Sequence, residues 1–186
     1  MEPTKFQISL YKQLSPILGV TSKVVKFADE TSNHEIRILT CPDPTDKEVS
    51  FYSTLGLSEL ATHNNDIEIL FSAYNSFDKI PNILSSVGFF IIKDKWKAID
   101  GGVFETLVEM YYPNIEMKHL YLTAPYLWED KLEDFRVDDK IVNFLLAIPI
   151  SDHELEFKNK NGSEALEDLF QENEVDVFDL DRKSAV

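Results

Sequence analysis

The chain has 186 residues, 44% of them hydrophobic and 12% aromatic, enough apolar surface for the core of one domain. Its 18 basic and 33 acidic side chains leave a formal net charge of −15, a field that repels nucleic-acid phosphates and anionic membranes and speeds encounter with basic proteins. The lone Cys41 excludes an intramolecular disulfide framework, the opening MEPTKFQISLYKQLSP has no secretory pattern, and no apolar run is long enough to span a bilayer, so a cytoplasmic location is expected.

Residues 5–18 place Ile8, Leu10, Tyr11 and Leu14 at helical spacing, and the helix is expected to end between Pro16 and Gly19. KVVKFAD and HEIRILTC carry strand-like alternation or β-branched residues, and CPDPTDKE between the second strand and the next is a turn-rich loop. EVSFYSTLGLSEL reads as a strand up to Gly56, and IEILFSAYN (67–75) as another. From Asp78 the period changes: Ile80, Ile83, Leu84, Val87 and Ile91 predict a helix, with Asp78 and Pro81 as its start signals and Trp96 as its end.

DGGVF (100–104) is a turn. HLYLTAPYLW (119–128) and KIVNFLLAIPI (140–150) read as strands, the second so continuously apolar that a central position is expected. EDKLEDFRVDDK joins them as a charged connection. SDHELEF opens a helix with Ser151 and Asp152 as cap candidates and Glu154 at the capping-box offset, and a further helix starts at Ser163. No repeat or βαβ rhythm is present. The expected fold class is α+β: one domain over 1–186 with a mixed, mainly antiparallel sheet flanked by helices.

Gly56 stands out among only six glycines, because glycine weakens a strand interior. It is expected to end or bulge the strand and let a neighbouring backbone come close, with Thr54 and Ser58 bonding the turn; the alternative is direct contact of this loop with a partner. Signals for chemistry are weak. No phosphate-binding or dinucleotide glycine motif occurs, and His34, His63, His119 and His153 are scattered. His153 and Glu156 are spaced i, i+3 without a second histidine, which reads as a solvated helix start rather than a metal site. Ser58 lacks the second glycine of a nucleophile elbow, and Cys41 reads as a small buried hydrophobe. The pairs Glu129/Asp130, Glu133/Asp134 and Asp138/Asp139 lie in polar surroundings unsuited to raising the pKa of a catalytic acid. Tyr111, Tyr112, Tyr121, Tyr126 and Trp128 lack the basic groove of a base-stacking protein and are expected in the core. No catalytic residue, metal or cofactor is expected.

Taken in order, STLGLSEL, the GG turn at 101–102, HLYLTAPYLW, IPIS (148–151) with Glu154 and Phe157, and the closing DLDRKS (179–184) resemble the suppressor of fused family, over about residues 25–184. The resemblance is to the short bacterial branch, some of whose members are immunity proteins (antitoxins) for LXG-type polymorphic toxins, commonly nucleases. It implies a binding role rather than catalysis: neutralisation of a cognate basic toxin by covering its active or substrate-binding surface. A general protein-interaction module with a regulatory client is the alternative, and a hydrolase using paired carboxylates is a third. The charge suggests where a basic partner docks. Residues 1–50 carry 7 acidic and 6 basic groups, whereas 152–182 carry 11 and 3. On a helix, Glu164, Glu167 and Asp168 share a face, as do Asp168 and Glu172; with Glu174 they form the expected partner-binding set.

Overall fold

The computed structural model describes residues 2–19, 21–31, 33–61 and 66–186, apart from the side chain of Glu129. Helix α1 (Lys5–Leu18) opens on a capping box: the Thr4 hydroxyl accepts from the Gln7 N–H, and the Gln7 side chain accepts from the Thr4 N–H. Its inner face is Gln7, Leu10, Leu14 and Leu18. The expected inner residue Ile8 is instead 40% exposed, because the buried stripe runs one position earlier.

Strands β1 (Lys23–Ala28), β2 (Glu35–Pro42), β3 (Val49–Leu55) and β4 (Ile67–Tyr74) pair antiparallel in succession. Between β3 and β4 lies the short helix α2 (Leu57–Leu60). Helix α3 (Ile80–Asp94) has Lys79 rather than Asp78 at its N-cap position, with Pro81 in its first turn, and is capped at its C-terminal end by Lys95 in the left-handed region. The two-residue β5 (Val103–Phe104) follows, then β6 (His119–Thr123), helix α4 (Glu129–Leu132), the hairpin β7 (Arg136–Val137) and β8 (Lys140–Ile141), β9 (Asn143–Ile150), α5 (Asp152–Asn161) and α6 (Ser163–Glu172).

The main sheet runs β1-β2-β3-β4-β9-β6-β5, and only β4–β9 is parallel. This is the mixed, mainly antiparallel α+β arrangement that the sequence predicts. Two expected strands are shorter than their patterns suggest. HLYLTAPYLW ends at Thr123, since Pro125 has no N–H for the ladder, and Tyr126–Trp128 form a 3₁₀ turn. KIVNFLLAIPI is split: Val142 donates to the Phe135 carbonyl, so 140–141 belong to the small hairpin and β9 begins at Asn143.

β9 is central and buried on both faces, which explains its unbroken apolar run. Alternation sends Ile36, Ile38, Ile69, Phe71 and Leu145 into the core under α3. It sends Leu39, Leu70, Tyr121, Leu146 and Ile148 to the opposite face, under α1 and α6, where Leu166 and Phe170 pack. The C-terminal segment also packs inward: Tyr74 donates its N–H to the Phe178 carbonyl, and Leu180 is fully buried in the core on the α3 side.

Candidate docking surface

Two polar cages hold the segments that stand out in the sequence. The first is at Gly56. The Glu68 side chain is 0% exposed on β4, on the face of Leu70, and receives five donors from the turn at Thr54–Ser58. The Thr54 and Ser58 hydroxyls donate at 2.6 Å each, and the N–H groups of Gly56, Leu57 and Ser58 at 3.0, 3.2 and 3.0 Å. Burial pushes the Glu68 carboxyl's pKa up, and these donors oppose that rise.

Gly56 has φ +91°, and a Cβ there would sit 2.5 Å from Gln7 Nε2. The strand therefore ends at Leu55, as expected, but the close neighbour is the Gln7 side chain rather than a backbone. Gly56→Ala is expected to lose about 1–3 kcal/mol in urea unfolding, from left-handed strain and this contact; a loss below about 0.5 kcal/mol would contradict the geometry. Ser58 spends its hydroxyl on Glu68 and is itself fully buried, closed off from any substrate.

The second cage joins IPIS to DLDRKS. Ser151 and Glu154 form the expected capping box, and the Glu154 carboxylate also receives Arg182 in a two-pronged pair, Nη1 to Oε1 at 2.6 Å and Nη2 to Oε2 at 2.9 Å. Ala185 N–H donates to the same carboxylate, Arg182 Nη2 reaches the Pro149 carbonyl, and the guanidinium lies over the Phe170 ring. Beside it, the buried His119 accepts the Thr106 N–H at Nδ1 and bonds Asp152 through Nε2. The Lys118 and His119 bonds hold Asp152 below the usual carboxylate range.

The remaining candidates for chemistry are similarly placed. His153 and Glu156 are both exposed at the start of α5, His63 lies outside the described residues, and among the described residues no cluster of three or more His, Cys, Asp or Glu could hold a metal. Burial pushes the Cys41 thiol up to about 11. Tyr111 bonds Ser86, Tyr112 accepts the Lys79 N–H, and the buried Trp128 meets Phe51 edge-on. Tyr126 departs from the expected core placement: it is 48% exposed.

The expected partner-binding residues lie on and just beyond α6. Glu164, Glu167, Asp168 and Glu172 are exposed on the helix, and Glu174 follows it at φ +48°. Glu167 differs from the rest. Its Oε1 accepts from Tyr121 Oη and Thr123 Oγ1, both at 2.6 Å, tying α6 to β6. Its charge, after burial, also pushes up the carboxyl of Asp100. Among the described residues, the carboxylates of Glu164, Asp168, Glu172 and Glu174 make no ion pair or hydrogen bond.

A second acidic region flanks Tyr126. A cleft of about 480 Å³ has Leu132 and Phe144 in its lining, with Tyr126, Ile141, Glu133 and Asp134 around it. Sequence reasoning missed it, since Tyr126 and Ile141 are brought together only by the β7–β8 hairpin. No helix among the described residues is long and apolar enough to cross a membrane.

A family model described as suppressor of fused protein (SUFU) matches residues 32–183. Immunity protein YqcF of Bacillus subtilis (strain 168) is 35% identical over 174 residues, covering 90% of this chain and 91% of that protein. The crystal structure of a SUFU homologue from Neisseria gonorrhoeae FA 1090 has a similar fold, with TM-score 0.77 at 17% identity and 97% of each chain covered. A chain of the Sufu–Fu complex gives TM-score 0.69 at 11% identity, covering 99% of this chain and 93% of that one.

Proposed function

The chain belongs to the suppressor of fused family, and from that premise we propose that it is an immunity protein, which binds a basic toxin of the LXG type, a nuclease, and covers its active or substrate-binding surface in the cytoplasm. The observation that carries this reading is the set of uncompensated carboxylates. Glu68, Glu154 and Glu167 are consumed by internal donors, whereas Glu164, Asp168, Glu172 and Glu174 project their charge into solvent from one end of the chain. An unpaired acidic face steers a basic partner and orients its approach.

The test is the association rate with the C-terminal toxin domain of an LXG-type protein from the same host. The rate is expected to fall about tenfold or more from low to high salt, and by a similar factor in Glu164→Lys/Asp168→Lys. Glu167 is kept out of the variant because its loss would free Tyr121 and Thr123. A salt-independent rate removes steering by this face. The similarity to a chain of the Sufu–Fu complex favours, as second reading, an interaction module with a regulatory client; binding of such a client with no affinity for the toxin would select it.

A further inference from the structure

We propose that the cleft beside Tyr126 receives one arginine side chain from a loop of the basic protein partner. The inference deepens the immunity reading and rests on it. Tyr126 and Ile141 are 48% and 40% exposed, and they stand on the same cleft. Leu132 and Phe144 are almost wholly buried and supply an apolar lining. Glu133 and Asp134 line the same cleft, exposed, with no ion pair or hydrogen bond from their carboxylates among the described residues.

A basic side chain matches this combination. Its methylene stem covers Ile141, its charge meets Glu133 and Asp134, and its planar head lies against the Tyr126 ring. Arginine fits better than lysine because a guanidinium both stacks on an aromatic ring and forks onto a carboxylate. The adjoining trough, which shares Ile141 and Asn143 with the cleft, is lined by Arg136 and Lys140. Lys140 is already spent on Asp66 and the Ser58 carbonyl, each at 2.7 Å. No basic side chain lines the cleft itself, so it presents acid and aromatic surface without a cation in place.

The probe is the peptide Ac-Gly-Arg-Gly-NH2, titrated into isotopically labelled full-length chain while the Ile141 methyl and Tyr126 ring resonances are followed. Saturable shifts of both are expected. The citrulline peptide, uncharged but the same shape, and the glutamate peptide should leave them in place. Glu133→Gln/Asp134→Asn and Tyr126→Ala should each weaken the arginine peptide about tenfold, with the amide spectrum otherwise unchanged; asparagine suits the left-handed backbone at 134, where φ is +49°. Unmoved resonances, or equal shifts with citrulline, overturn the proposal. Protection against the toxin is scored separately: a chain that protects yet gives no shift keeps the immunity role and loses the cleft, and a chain that shifts without protecting does the reverse.

Discussion

Glu68→Ala is expected to destabilise the protein by about 3–5 kcal/mol, a large part of the total stability of an ordinary domain. The side chain is fully buried and accepts from two hydroxyls and three backbone N–H groups. Alanine strands all five donors away from water, and an unsatisfied buried polar group costs about 1–3 kcal/mol, with partial relief as the turn relaxes. Three of those donors are the first N–H groups around α2, a four-residue helix with no side-chain cap of its own. The carboxylate is in effect that helix's cap.

Glu68→Gln restores one acceptor but turns two N–H donors toward other donors, so a loss of about 2–3 kcal/mol is expected. Thr54→Val removes two bonds, the hydroxyl's donation to Glu68 and its acceptance of the Ile69 N–H, and should lose about 1–2 kcal/mol. Urea unfolding ranks the three. Equal, small losses below about 1 kcal/mol would mean that the cage does not hold the turn.

Arg182→Ala and Glu154→Ala are each expected to lose about 3–5 kcal/mol, because either one leaves a buried charge without its partner. The pair spans 28 residues and closes the C-terminal segment onto the α5 cap, so the effect has a location as well as a size. Amide exchange should accelerate across 178–186 and at the start of α5, and much less in β2 and β3. Replacing both partners by apolar residues, Glu154→Leu/Arg182→Met, should be less destabilising than either alanine variant, since no charge is then stranded. Additive losses in the double variant would show that the two side chains act independently.

These two cages also show what the sequence made legible and what it hid. Alternation and apolar runs located β2, β3, β4 and the centre of β9, and the Ser151–Glu154 offset revealed the α5 cap, because those signals are local. Thr54, Gly56 and Ser58 read as a turn with hydroxyls to spare, yet nothing local identifies Glu68 as their acceptor. That pairing depends on β3 and β4 lying side by side in one register. Arg182 carried a motif resemblance without a partner, and its partner was the cap acid already picked out for another reason.

Glu167 shows the opposite limit. Helical spacing grouped it correctly with Glu164 and Asp168, but spacing along one helix cannot reveal that Tyr121 and Thr123 of β6 lie against it. The shortened strands have the same origin. Pro125 and the Val142–Phe135 bond redirect the chain where the apolar pattern runs on.

The most direct test of the central claim mixes the purified chain with the C-terminal domain of an LXG-type toxin from its own host, measuring binding by calorimetry and nuclease activity in the same samples. The account predicts a 1:1 complex with Kd on the order of 1 nM or tighter and loss of nuclease activity in proportion to complex formed. Affinity no better than about 1 μM, or a tight complex in which the nuclease keeps its activity, would contradict it.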